Sequence, residues 1–206
     1  ALRDNTTGTS NLAIGDLALL SNTSGVCNVS IGRYSMVYNT TGNSNVSIGV
    51  FSMYDNSTGV GNIAIGNTAL ANNTTANFNT AVGVSAMYST TTGGGNTAIG
   101  VCSLYTNTTG TGNTAIGQNS LKANTVGTYN VGIGPSTLLC NTSGQQNIAV
   151  GTSALRNNLT GYQNVAIGEA ALFSYECSTA VAVGYSALKC STTGGSNTAV
   201  GYLALC

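Results

Sequence analysis

A glycine recurs every 17 residues along this chain of 206 residues, with one step of 16. We call the members of the series the periodic glycines: Gly15, Gly32, Gly49, Gly66, Gly83, Gly100, Gly117, Gly134, Gly151, Gly168, Gly184 and Gly201. Positions within a repeat are counted from them. A period this strict is typical of a stacked repeat protein, in which each copy is one coil that buries its apolar groups against its neighbours.

Apolar residues hold fixed places in every repeat. Position −1 is Ile or Val in all twelve repeats, and position +4 is always Leu or Met, as in Ile65 and Leu70. Positions −2 and +3 carry small residues, as in Ala64 and Ala69. Segments such as NTAIG alternate in the manner of a strand, and β-branched residues suit a pleated surface. We therefore expect the Ile/Val column and the Leu/Met column both to point inward.

Position −4 is asparagine in eleven of the twelve repeats, and Ala180 is the exception. Stacked coils would place these side chains about 4.8 Å apart. At that distance each amide can bond the next. The sequence thus predicts an inward ladder of amides at Asn11, Asn28, Asn45, Asn62, Asn79, Asn96, Asn113, Asn130, Asn147, Asn164 and Asn197.

The glycines also exclude a helix and place the bends of the chain. The periodic glycine supplies a bend, either through a positive φ or by letting another backbone pass closely. A second glycine ends polar turns such as NTTG and NTSG. The prediction is an all-β protein: a parallel β-solenoid, or β-roll, of twelve 17-residue coils with two short strands and two turns each. Residues 1–206 form one repeat domain, and both ends fall inside the pattern, so we expect a segment of a longer array.

Composition makes several functions improbable. The chain has five basic and five acidic residues, no histidine and zero net charge. Without a basic patch, nucleic-acid binding is not expected. No apolar run is long enough for a membrane helix. No pair of carboxylates lies in adjacent coils at matching phase, and Glu169 and Glu176 share a coil but lie on different faces. We expect no enzyme, no cofactor and no metal.

Eight asparagines at the turns stand in Asn-x-Ser/Thr sequons, seven positions after a periodic glycine or in that phase: Asn5, Asn22, Asn39, Asn56, Asn73, Asn107, Asn141 and Asn158. One interpretation is N-glycosylation along one edge of a secreted fibre. The other is that NTT and NTS are good turn sequences. On either interpretation we expect these turns to be exposed. The sequons within the ladder, at Asn28 and Asn45, should be buried and not glycosylated.

The six cysteines lack CxxC spacing, which argues against zinc. Cys190 and Cys206 fall on neighbouring coils and are a possible disulfide. Cys140 and Cys177 are two coils apart, too far to bridge within one chain. The alternative is that several cysteines are small buried apolar residues.

The run A-I-G-x-x-A-L, followed by a polar turn and a new N-x-A-I-G, resembles the head repeats of trimeric autotransporter adhesins and, more closely, the repeats of bacteriophage-type tail fibres. The segments NTTGTGNTAIG (107–117) and NTAVGYLAL (197–205) carry the resemblance best. It implies a left-handed roll that trimerises. The 17-residue period departs from the shorter repeat of the adhesin heads, near 14 residues.

The predicted function is a structural fibre or filament subunit, a rod outside the cell, on a cell surface or on a virion. Its expected partner is itself, as a trimer or an end-to-end filament, because one coil has a thin core. The alternatives are an adhesin that binds a glycan or receptor, and an ice-binding solenoid. Ice binding would use rows of threonine such as Thr7, Thr41, Thr75 and Thr109, which lie at a turn and are interrupted.

Overall fold

Each repeat contributes one short strand that pairs with the strands of the repeats before and after it. The computed structural model describes residues 1–192 and 194–205. Its strands are β1 (Leu12–Ile14), β2 (Val29–Ile31), β3 (Val46–Ile48), β4 (Ile63–Ile65), β5 (Thr80–Val82), β6 (Thr97–Ile99), β7 (Thr114–Ile116), β8 (Val131–Ile133), β9 (Ile148–Val150), β10 (Val165–Ile167), β11 (Val181–Val183) and β12 (Thr198–Val200).

The twelve strands form one parallel sheet in the order β1 to β12. Equivalent residues are partners, so Ile48 lies opposite Ile65 and Ile65 opposite Val82. Across the short repeat the register is kept, because Val165 pairs with Val181. The predicted parallel β-solenoid of twelve coils is confirmed. The described residues include no helix that is long and apolar enough to span a membrane.

The core is a column of Leu and Met flanked by small residues. Leu70, Met87 and Leu104 have no exposed surface, and neither do Ala81 and Ala98 beside them. The inward position of the Leu/Met column is therefore confirmed for the coils between Leu19 and Leu188. Removal of this apolar surface from water is the main stabilising contribution of each coil.

The Ile/Val column points outward, and our prediction that it faces the core was wrong. Ile65 is 38% exposed, whereas Ala64 before it is fully buried. Successive side chains of a strand point to opposite faces, so Ala64 and Ile65 cannot both face inward. The narrow interior, already filled by the Leu/Met column, takes the small residue.

The predicted second strand of each coil is absent. Between the periodic glycine and the turn, two residues per coil have a positive φ, as in Thr68 (53°) and Leu70 (51°). The backbone still pairs with both neighbouring coils: the Thr68 N–H donates to Val50 O (3.0 Å) and the Leu70 N–H to Ala86 O (2.9 Å). This half of the coil is hydrogen-bonded like a strand, but left-handed residues prevent an extended conformation.

The periodic glycines form a column in which backbones touch. Gly100 has a φ of +133°, and a Cβ on it would lie 2.7 Å from both the carbonyl carbon and the oxygen of Gly117. Both expected reasons for glycine, the positive φ and the close approach, therefore apply at the same position. This close stacking keeps every coil in phase with the next.

Candidate functional surfaces: the strand face and the turn edge

The outward side of the sheet consists of the first and third residues of each strand, and we call it the strand face. Its third-residue row is the Ile/Val column, in which Ile99 and Ile167 are 40% and 41% exposed. Its first-residue row holds Val, Ile and Thr after Leu12. None of these side chains is charged. A large uncharged apolar face on a soluble protein typically marks an interaction surface.

The Ile/Val column holds only Ile and Val, although its members range from half-buried to exposed. The residue after the periodic glycine, by contrast, varies freely, from Asp16 and Arg33 to Pro135 and Tyr202. Threonine has the same preference for strands and occurs four times in the first-residue row, yet it never enters the third-residue row. The column therefore requires apolar side chains, which strand preference alone does not explain.

The asparagines at position −4 lie inside the coil and bond their neighbours. The Asn113 backbone N–H and Nδ2 both donate to Asn96 Oδ1 (2.9 and 3.2 Å), and Nδ2 also donates to Gly127 O (2.8 Å). The backbone N–H and Nδ2 of Asn130 donate in turn to Asn113 Oδ1 (2.9 and 3.1 Å). The buried members of this column are Asn28, Asn45, Asn62, Asn79, Asn96, Asn113, Asn130, Asn147 and Asn164.

The two ends of this column differ from its middle. Asn11, in the first complete coil, is half-buried and accepts from Asn28 through its Oδ1. Asn197 lies outside the ladder, because its Nδ2 donates to Gly194 O (2.7 Å) within its own coil. Ala180 stands in the neighbouring coil and has no side-chain amide to accept from it.

The turn asparagines form a second buried column, which the sequence analysis missed. Asn124 Nδ2 donates to Asn107 Oδ1 (2.8 Å) and to Gly127 O (3.1 Å), and its Oδ1 accepts from Asn141 Nδ2 (2.8 Å). The fully buried members are Asn22, Asn39, Asn56, Asn73, Asn107, Asn124, Asn141 and Asn158. Asparagine recurs at this position almost as strictly as at position −4, and that strictness was the available signal.

This burial corrects the expectation that the turns are exposed. An N-linked sugar would replace one hydrogen of Nδ2, but both donate inside the coil at Asn141 and at every fully buried sequon asparagine of this column except Asn107, whose Nδ2 donates only to Gly110 O among the described residues. The turn stacks on neighbours above and below, so only its tip meets solvent. The sequon asparagines are buried, and glycosylation at them stays a prediction: Asn22, Asn39, Asn56, Asn73, Asn107, Asn141 and Asn158. Asn5, in the first turn, is the exposed one.

The tip of each turn presents a hydroxyl row to solvent. Its residues are Thr7, Ser24, Thr41, Thr58, Thr75, Thr92, Thr109, Val126, Ser143 and Thr160, and only Val126 interrupts the series. Beneath this row three backbone N–H groups converge on one carbonyl: those of Thr23, Ser24 and Gly25 donate to Thr40 O at 3.0, 3.2 and 3.3 Å. The convergent bonds fix the hydroxyls in register.

Aromatic rings gather in two neighbouring coils, between the periodic glycine and the following turn. Tyr34 and Phe51 stack with ring centroids 4.9 Å apart, and Phe51 and Tyr38 each contact Tyr54 edge-on. The Arg33 guanidinium lies 4.6 Å from the Tyr34 ring centroid. The hydrogen bond to Tyr38, together with partial burial, raises the pKa of Tyr54 to about 12.

The residues that could carry chemistry are dispersed. Glu169 and Glu176 are both exposed. Within residues 1–192 and 194–205, no three His, Cys, Asp or Glu side chains lie close enough to hold a metal ion. Cys140 and Cys177 form no disulfide there, and neither do Cys27 and Cys102. Cys206 lies outside the described residues, so the Cys190–Cys206 disulfide stays a prediction.

Neither a protein-family model, nor a curated protein, nor a solved structure matches this chain.

Proposed function

We propose that the chain is a structural fibre subunit whose rods associate with one another through the strand face. The observation that carries this proposal is the uncharged Ile/Val column, which holds only Ile and Val although its members are half-buried to exposed. A single rod leaves that column in water, and a second copy would cover it. The role is mechanical, and the expected location is outside the cell, on a cell surface or on a virion.

The size of the strand face fits an association between copies. Twelve strands at about 4.8 Å each, and about 10 Å across three residues, give a footprint of roughly 580 Å² per copy. Two such faces together would bury roughly 1,200 Å², the lower end of the range for stable interfaces. A second copy also has the same 4.8 Å period, so its ridges of Ile and Val interdigitate along the whole rod.

Sedimentation velocity tests this proposal on the whole chain. We expect an assembly heavier than the 20.6 kDa of one chain. The double variant Ile65→Lys/Ile99→Lys should sediment as a monomer with an unchanged circular dichroism spectrum, because a buried lysine pair disrupts the interface without touching the core. Electron microscopy should show rods for the wild type.

The matched control is Val84→Lys/Val101→Lys. These valines are 49% and 44% exposed, but they follow the periodic glycines and lie outside the strands. The control should assemble like the wild type. A wild-type monomer at every concentration, or an assembly that both double variants preserve, would refute the role of the strand face.

Ice binding is a second candidate, which the hydroxyl row favours. Hydroxyls repeat there at the spacing of the coils, with Val126 as the one interruption. The row is one residue wide, so it offers a narrower surface than the strand face. Thermal hysteresis of the protein solution that Thr75→Tyr abolishes would support this function. If ice in the wild-type solution grew at its equilibrium melting temperature, ice binding would be excluded.

A further inference from the structure

A polar cleft of about 210 Å³ opens between the turns that follow β8 and β9. Ser143, Gln145, Gln146, Thr160 and Tyr162 line it. The Tyr162 side chain is prominent, since this residue is 52% exposed. All five lining residues are uncharged, so the cleft offers hydroxyls, amides and one aromatic ring.

The cleft lies where the repeat departs from its own pattern. At the corresponding positions other coils carry mostly small or short side chains, such as Gly94 and Thr111. Three of the four glutamines of the chain, Gln145, Gln146 and Gln163, fall in this one place. In a regular array, local departures of this kind are where a specific site can be built without disturbing the stack.

One lining side chain, that of Gln146, is hydrogen-bonded, and one backbone donor is open. Gln163 Nε2 donates to Gln146 Oε1 (3.1 Å), which leaves the Gln146 amide group free to donate. In two other coils a side-chain oxygen caps the N–H equivalent to that of Gln145: Asn43 Oδ1 accepts from Val26 (2.8 Å), and Asn77 Oδ1 from Val60 (2.7 Å). In coils without such a residue, as at Thr111 and Thr128, this N–H is open within the described part of the chain, as it is at Gln145.

Tyr162 occupies the position of those capping asparagines, and its side chain has no oxygen at the place of the asparagine Oδ1. The Gln145 N–H therefore forms no hydrogen bond with the described residues. A backbone donor without a partner, beside a ring and several hydroxyls, is available to a ligand.

We propose that this cleft binds one neutral sugar unit of a glycan. The Tyr162 ring offers an apolar face for the C–H groups of a pyranose, while amides and hydroxyls pair with its hydroxyl groups. An anionic ligand would call for Lys or Arg, and a cation for Asp or Glu, and the lining has none of them. A hexose unit with about 12 heavy atoms, at roughly 15–20 Å³ each in close packing, matches the volume. The proposal does not rest on the fibre role.

Saturation-transfer difference NMR on the whole chain tests the proposal, and it works for monomer and assembly alike. The probes are the methyl glycosides of mannose, galactose and glucose, and N-acetylglucosamine. At least one should bind saturably with a Kd on the order of 1 mM, typical of few contacts. Tyr162→Ala should weaken that binding at least tenfold, and Tyr162→Phe should preserve it, because the ring face is what the sugar contacts.

The control is Tyr129→Ala, which removes an equally prominent ring, 63% exposed, that does not line the cleft. It should bind like the wild type. Absence of saturable binding to every probe, wild-type affinity in Tyr162→Ala, or stronger binding of the anionic N-acetylneuraminic acid would each overturn the proposal. Because association by sedimentation is measured separately, failure of the sugar site leaves the fibre proposal standing.

Discussion

Thr90 interrupts the column of turn asparagines in the middle of the rod. It occupies an asparagine position, is fully buried, and its Oγ1 has no partner among the described residues. Asn73 Oδ1, which would accept from an amide at position 90, is likewise left without a donor. A second interruption follows at Tyr175, where Asn158 Oδ1 is unpaired. Each unpaired buried polar group costs free energy.

The substitution Thr90→Asn should therefore stabilise the chain. The new amide would donate to Asn73 Oδ1 and accept from Asn107 Nδ2, which restores two bonds in a site already shaped for asparagine. We expect the free energy of unfolding to rise by about 1–3 kcal/mol, measured by chemical denaturation at one fixed concentration. Thr92→Asn, at the exposed tip of the same turn, is the control and should change little. Equal effects of the two would contradict the interrupted column.

Asparagines of both columns should be costly to remove, but unequally. Asn113→Ala removes the oxygen that accepts from both the Asn130 N–H and Asn130 Nδ2, of which only Nδ2 keeps a second acceptor, Gly144 O. Asn107→Ala removes one of the two acceptors of Asn124 Nδ2 and leaves Gly127 O. We expect the free energy of unfolding to fall by about 3 kcal/mol or more in Asn113→Ala and by about 1–2 kcal/mol in Asn107→Ala. Thr109→Ala, in the hydroxyl row, should lose less than either. The same denaturation curves check this, and a neutral Asn107→Ala would show that the turn column is not stabilising.

Sequence reasoning placed the residues of one asparagine column and missed the other for a physical reason. A turn sequence such as NTTG is normally a solvated surface feature, and in a single coil Asn107 would be exposed. Only stacking at about 4.8 Å encloses it, because the next turn then lies directly above. Burial of this kind depends on neighbouring copies and is not visible in one repeat.

At the scale of the strand, a prediction from hydrophobicity alone assigned Ile65 to the interior, which is the wrong face. The alternation of a strand indicates that one of Ala64 and Ile65 faces inward and the other outward, but it does not show which of the two faces inward. Leu70 needs the interior volume, so the small residue of the strand packs against it and Ile65 turns outward. Counting the side-chain volume that fits inside one coil would have given the correct answer and would have identified the strand face.

The periodic glycines offer a test at the same scale. Gly100→Ala places a Cβ 2.7 Å from the Gly117 backbone at a φ of +133°. We expect a loss of more than about 3 kcal/mol from strain and separation of the coils. Gly95→Ala is the matched comparison: its φ is also positive, at +69°, but a Cβ there meets nothing within 4 Å. That variant should lose only about 1–2 kcal/mol. Similar losses in melting experiments would argue against contact between the stacked backbones.

At the scale of the whole molecule, stability should follow the coils one by one, since each coil contacts only its neighbours. Deleting residues 79–95 removes one repeat that contains Thr90 and brings the turns of Asn73 and Asn107 together. Deleting 113–129 also removes 17 residues but keeps the interruption. We expect both chains to fold, shorter by about 4.8 Å, with the first more stable by about 1–3 kcal/mol.

Electron microscopy would give the rod lengths for these deletions, and denaturation the stabilities. Deletion of residues 79–86 is the control, because it shifts the phase of the stack and should prevent regular folding. If the two 17-residue deletions proved equally stable, the unpaired groups at Thr90 would carry no measurable cost.

Both asparagine columns point the same way. Asn28 Nδ2 faces Asn11 in the earlier coil, Asn39 Nδ2 faces Asn22, and each Oδ1 faces the later coil. The amide dipoles therefore add along the axis as peptide dipoles do in a helix, with the positive pole toward the first coil. Although the chain carries no net charge, the aligned side-chain amides give the solenoid a dipole along its axis. Two copies side by side in opposite directions would cancel these dipoles, whereas two parallel copies would add them, so any assembly of such chains would be polar only if its members run in the same direction.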